Sequence, residues 1–241
     1  MAILRNIVFI AALAGFVAGL AMTAMQYAGT VPLILRAETF EAAGPAHDHA
    51  SQDNAIASDA ADSSHSHDHE EAGWAPRDGL ERSVFTALAN IVTAIGFALL
   101  LVAASELTGG MTGWRQGVFW GLAGFTVFTL APGLGLPPEL PAMPAADLVQ
   151  RQIWWSATAL ATGIGLALLV FKRSLPLAIL AVSLLIAPHL VGAPQPESFE
   201  SPVPHSLAQA FVVMASVTSF VFWVVLGGVA GFARSRVRAT E

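Results

Sequence analysis

Long apolar stretches alternate with short polar breaks along this chain, and six of the stretches have the character of helices that cross a membrane. They cover residues 7–25, 84–105, 117–135, 153–171, 175–187 and 207–232. Most match the roughly 17–25 apolar residues a helix needs to span about 30 Å of hydrocarbon. The fifth is shorter and stops at Pro188-His189, after which apolar character resumes to Ala193. Trp154-Trp155 and Lys172-Arg173 bracket the fourth run as interfacial anchors. Arg5 precedes the first run, a pattern that also describes a signal peptide. That run is long, however, and no small-x-small site closes it, so a retained helix is the expectation.

Between the first and second runs the chain changes character. Residues 30–82 hold eleven acidic residues against three arginines, with alanine, serine and histidine between. Such a composition buries too little apolar surface to offset ordering entropy, which predicts that 44–73 is disordered when free. Val31-Pro32-Leu33-Ile34-Leu35 and Trp74-Ala75-Pro76 give it apolar edges. The expected fold is therefore all-α: a polytopic bundle of about six transmembrane helices with one long, acidic, His-rich outer loop. Its parts are a first helix (1–29), the loop (30–83), a five-helix region (84–233) and a short basic tail (234–241).

Composition fits this picture. The chain is 55% hydrophobic and 12% charged, about half the charged fraction of a soluble domain. The absence of cysteine excludes disulfides, thiolate metal sites and cysteine nucleophiles. With six spans, one side receives Arg5, Arg115, Lys172, Arg173, Arg234, Arg236 and Arg238, and the other Arg36, Arg77, Arg82 and Arg151. The positive-inside rule then puts both termini in the cytoplasm and all seven histidines outside. Gly15/Gly19, Gly117/Gly121 and Gly227/Gly231 are small-xxx-small pairs, spaced for close helix packing.

The candidate chemistry is metal binding. His47-Asp48-His49 and His65-Ser66-His67-Asp68-His69-Glu70 carry imidazoles at alternate positions among carboxylates. One divalent ion could be chelated by several of them, though affinity alone would not name the metal. The competing reading is an inert, solvated tether. His189, beside a helix-breaking proline, is the one titratable side chain that could enter the hydrocarbon region, or else it sits at the interface. Thr86, Asn90 and Thr93 form one polar stripe, and Thr23, Gln26 and Thr30 another. Helix–helix hydrogen bonds account for both more readily than a pathway does. Met22 and Met25 read as packing. No acidic residue lies within an apolar run, which argues against a buried-carboxylate proton relay, and no P-loop exists to hydrolyse ATP.

The chain resembles the CbtA family of predicted bacterial cobalt transporter subunits, essentially end to end. The resemblance lies in Val31–Leu35 with Glu38, in Trp74-Ala75-Pro76-Arg77-Asp78-Gly79-Leu80-Glu81-Arg82, and in Trp120-Gly121-Leu122-Ala123-Gly124-Phe125. It continues through Leu134-Gly135-Leu136-Pro137-Pro138-Glu139-Leu140-Pro141, Asp147-Leu148, Arg151-Gln152, Trp154-Trp155, Pro188-His189 and Gly192-Ala193-Pro194. It implies a multi-pass protein of the bacterial inner membrane, a link to cobalamin synthesis, and a small His-rich single-span partner, CbtB. It supplies no ligand residues. The resulting expectation is a non-enzymatic component of cobalt uptake, with nickel as the second choice of metal, no organic cofactor and no nucleic-acid partner. The loop would gather the ion and pass it to an outer mouth at Glu81, Glu139, Asp147 and His189, a mixed nitrogen–oxygen set that suits cobalt(II). The alternatives are a non-transporting metal-binding or sensory membrane protein, and a structural bundle with an inert loop.

Overall fold

The computed structural model describes residues 2–42, 77, 79–172 and 174–238, and these form six helices. The first, α1, is continuous over residues 2–42: α-helix Ala2–Met25, a π-helical turn Gln26–Thr30, then α-helix Val31–Ala42. Helix α2 is Leu80–Glu106. Helix α3 spans 114–133 and repeats the pattern of α1, with Trp114–Phe125, a π turn Thr126–Leu130, and Ala131–Gly133. Helices α4, α5 and α6 are Leu148–Phe171, Leu175–Val191 and His205–Arg238. Four stretches are long and apolar enough to cross a membrane: Leu4–Phe40, Leu80–Glu106, Leu148–Phe171 and His205–Val237. Many large apolar side chains face outward, Val92, Leu100, Leu160, Ile164, Ile179 and Val213 among them. A helical belt of this kind buries its apolar surface in lipid, and the protein is a multi-pass membrane protein.

Both π turns have the same local cause. Each is followed by one residue and then a proline, Pro32 in α1 and Pro132 in α3. Proline has no N–H for the ladder, and its ring crowds the carbonyl four residues back. The helix widens just upstream, so that Val31 N–H reaches Gln26 O and Ala131 N–H reaches Thr126 O. This accommodation corrects one sequence expectation. The first helix does not give way to loop after residue 29; it runs on through Ala42. Leu33, Ile34, Ala37 and Phe40 form a helical stripe there and pack with Leu140, Val203 and Phe211. A 37-residue stretch is about 55 Å long, so α1 outruns the hydrocarbon and carries an apolar collar beyond it.

Helix α5 also exceeds its expected end. Pro188 falls in the last turn, where only one backbone bond is lost, and the helix continues to Val191 before Gly192 (φ 85°) ends it.

The main core is formed by α1, α2 and α6, with Ile10, Ala14, Ala18, Ala94, Ala98, Phe222 and Leu226 at its centre. The glycine pairs fix its seams. A Cβ added at Gly117 would stand 2.1 Å from Gly227 O, and one at Gly227 would stand 2.2 Å from Gly117 O. Helices α3 and α6 therefore touch backbone to backbone. Gly15 and Gly19 likewise lie against the backbone of Ile95 and Ile91. The packing role expected of all three pairs is what the structure displays. Helices α4 and α5 pair with each other and join the rest through α3, where Phe128 stacks between Trp155 and Trp223.

Candidate functional site

Side-chain contacts sort the polar residues to the two ends of the bundle. At one end the close of α1 meets the start of α2: Tyr27 Oη donates to Ser83 Oγ, and Arg82 Nη2 to Glu38 Oε1 at 2.8 Å. The loop after α3, the start of α4, the close of α5 and the start of α6 lie at the same end, as the shared packing of Ala37, Leu140, Val203 and Phe211 requires. Glu81, Glu139, Asp147 and His189 are all there. The opposite end holds the close of α2, the loop before α3 and the close of α6. Arg234 forks onto Glu106 there, with Nε–Oε1 2.5 Å and Nη2–Oε2 3.1 Å.

The four described ligand candidates are placed differently. Glu139 and His189 meet the same ridge of α4. Arg151 Nη2 lies 2.9 Å from Glu139 Oε2, and three residues on, one turn along that face, the Trp154 ring lies edge-on to His189 with centroids 6.0 Å apart. Trp154 Nε1 also donates to Pro188 O at 3.2 Å, which fixes the last turn of α5 and with it His189. Gly135 lets the loop close on this ridge, since a Cβ there would stand 2.3 Å from the Trp154 ring. His189 is half-buried within the helix rather than beyond it. Asp147 is the N-cap of α4, its Oδ1 accepting from Gln150 N–H at 3.0 Å. Glu81 sits on α2 and pairs with the exposed Arg77 at 3.0 Å. Among the described residues, no three or more His, Asp or Glu side chains converge on a point where they could hold one ion. His47, Asp48, His49, His65, His67, Asp68, His69 and Glu70 lie outside the described residues.

The two polar stripes meet each other. Asn90 Nδ2 donates to Thr23 Oγ1 at 3.0 Å and to Gln26 Oε1 at 2.7 Å, joining α2 to the π turn of α1. Thr86 and Thr30 bond their own helices, and Thr93 is exposed. On α6, Thr218 is fully buried.

Sequence reading did not give Arg151 and Trp154 their positioning roles. Their i, i+3 spacing at the start of an apolar run was the available signal, because it makes them one ridge. The Glu106–Arg234 pair left no such trace, being 128 positions apart.

The family model described as "Probable cobalt transporter subunit (CbtA)" matches residues 4–235. No curated protein and no solved structure matches the chain.

Proposed function

From the premise that the chain belongs to the CbtA family, we propose that it is the membrane component of a cobalt uptake system, with nickel as a second cargo. One observation carries the reading: α1 ends and α2 begins, with His47–His69 between them in the sequence, at the end of the bundle that also holds Glu81, Glu139, Asp147 and His189. A collector there would deliver its ion to the end where the candidate ligands of the helices lie. All six helices cross the inner membrane, both termini are cytoplasmic, and the collecting segment is outside, the orientation favoured by the distribution of arginine and lysine.

The collector works by mass action. Imidazole and carboxylate groups at alternate positions hold divalent cobalt weakly and reversibly, raising its concentration at the entrance. Glu139 and His189, on the α4 ridge, are the ligands of the passage itself. For Glu139 to accept the ion, Arg151 must swing away, so cation entry and loss of that ion pair are coupled. Asp147 and Glu81 add negative field at the rim. The collar of Ala37, Leu140, Val203 and Phe211 closes the entrance beside α1 and α6. No enzymatic step is assigned. A small single-span partner of the CbtB kind completes the system and contributes its own histidines.

The closed collar favours one other reading, a protein that holds metal and presents it to a partner without transporting it. Accumulation of radioactive cobalt separates the two. Cells expressing the chain with its partner should accumulate cobalt above cells lacking it, and excess nickel should compete. Metal retained by the purified protein, with no accumulation in cells, would overturn transport and leave presentation.

A further inference from the structure

The helices are held together unevenly, and the line of loosest packing runs through the candidate ligands. We infer that α4 and α5 move as one rigid hairpin against a core of α1, α2, α3 and α6, and that this movement opens and closes the mouth between Glu139 and His189. Its use in transport rests on the transport reading; the movement itself does not.

Each body is rigid for the same reason. In the core, glycines bring α1 against α2 and α3 against α6 backbone to backbone. The hairpin has a seam of its own. A Cβ added at Gly165 of α4 would stand 3.0 Å from Ala181 O of α5, and Ala181 is fully buried. At the outer end Trp154 Nε1 ties the same two helices by donating to Pro188 O.

The contact between the bodies is of another kind. Helix α5 rests on α4 and has no comparable contact with α1, α2, α3 or α6 among the described residues. Helix α4 meets the core along α3 through side chains: Phe171 with Trp120, Trp155 with Phe128, and Gly163 with Val127. At Gly163 an added Cβ would still be 3.8 Å from Val127, so here α3 and α4 meet through a side chain and not backbone to backbone. These surfaces are apolar, and lipid supplies no hydrophobic drive to hold them together, so sliding along α3 forfeits mainly dispersion. Ile179, Val182, Ile186 and Leu190 of α5 already face outward. A shifted α5 exchanges one apolar neighbour for another.

The boundary divides the site. Leu140 is 3% exposed, packed in the collar with Ala37 of α1 and Phe211 of α6, which fixes the adjoining Glu139 to the core. Arg151 and His189 ride on the hairpin. The Glu139–Arg151 ion pair, at 2.9 Å, therefore crosses the boundary, and with the Trp154 ring against Gly135 it latches the hairpin shut. A cation that takes Glu139 displaces Arg151 and releases the latch, so arrival of the ion drives the opening. Membrane transporters place their sites between two bodies that rock in this way.

The absence of cysteine suits the chain to cross-linking. Val127→Cys with Gly163→Cys bridges the two bodies. Val118→Cys with Gly228→Cys bridges α3 and α6 within the core, where a Cβ added at Gly228 would stand 3.5 Å from Val118. After oxidation with copper phenanthroline, the first variant should lose cobalt uptake to background and regain it with dithiothreitol; the second should transport throughout. The movement is read separately in lipid nanodiscs without metal. Spin labels on the outward-facing positions of Val92→Cys with Ile179→Cys report a core-to-hairpin distance, and those of Val92→Cys with Val213→Cys a distance within the core. Glu139→Ala should broaden the first distribution and leave the second unchanged. Uptake that survives the bridge between positions 127 and 163, or that is lost equally with the core bridge, overturns the inference, as does a core-to-hairpin distance indifferent to Glu139→Ala. Failure of the unmutated chain to accumulate cobalt defeats the transport reading instead, and the distances still decide the movement.

Discussion

The substitution Gly→Ala should have opposite signs at two positions of this protein. At Gly117 an added methyl would meet Gly227 O at 2.1 Å and Gly231 Cα at 2.8 Å, both backbone atoms that cannot turn aside. Ordinary contact is roughly 3.5 Å, so α3 and α6 would have to part by about 1.4 Å. A gap of that size forfeits much of the dispersion along the seam, and lipid offers no hydrophobic drive to close it. The expected cost of Gly117→Ala is about 2–3 kcal/mol, in the range for overpacking. Gly227→Ala should cost the same. The double variant should cost less than both together, because the first methyl has already opened the seam the second would strain. Gly96, in α2, has nothing within 4 Å of its added Cβ. There alanine's better helix propensity should stabilise the protein by up to about 1 kcal/mol. Unfolding in mixed detergent, followed by circular dichroism and tryptophan fluorescence, measures all four variants. Equal effects at Gly117 and Gly96, or full additivity of the two seam variants, would refute backbone contact between α3 and α6.

Further measurements address the ends of the bundle. Glu106→Gln should destabilise the protein, by up to about 3 kcal/mol, since it removes the carboxylate charge onto which the largely buried Arg234 guanidinium forks; Glu106→Gln with Arg234→Met should recover much of the loss in the same unfolding assay. Because the chain has no cysteine, Ser64→Cys gives a single labelling site; a membrane-impermeant maleimide should modify it in intact cells, and protection there would reverse the proposed orientation. Replacing the five loop histidines by alanine should lower cobalt uptake at scarce metal and have little effect at abundant metal. His189→Ala should instead impair uptake at every concentration, because a passage ligand acts on each transport event; normal uptake by His189→Ala would remove it from the passage. Cobalt binding by a peptide covering 44–73 should weaken as pH falls through the imidazole range, protons competing for the same nitrogens. Titration calorimetry indifferent to pH between about 5 and 7 would exclude the histidines as ligands.

What the sequence discloses here follows from what is local. Apolar length set the number of helices, and glycine spacing announced the two tightest seams, since both are properties of a single stretch of chain. The end of α1 was misjudged because residues 30–82 were read by composition as one acidic loop, and a π turn that carries the helix past Pro32 is not visible in hydropathy. Candidate ligands were legible as residue types, but their engagements were not. Asp147 caps α4, Glu139 faces Arg151, and Trp154 holds the turn that carries His189. Each depends on elements brought together only in the folded bundle.

The two π turns have a bearing on how this protein can vary. Each inserts one residue into an otherwise regular helix, which rotates everything beyond it by about 100°. In α1 that rotation brings Leu33, Ala37 and Phe40 round to the collar; in α3 it sets the direction in which the chain leaves toward Gly135 and Trp154. Insertion and proline are thus a matched pair. Losing Pro32 alone would let the helix regularise and turn the collar stripe away from Phe211. Losing one residue of Gln26–Thr30 alone would drive the proline ring into an unwidened turn. Related sequences should gain or lose the two together, so a one-residue gap in an alignment at either turn should coincide with a change at the proline that follows it.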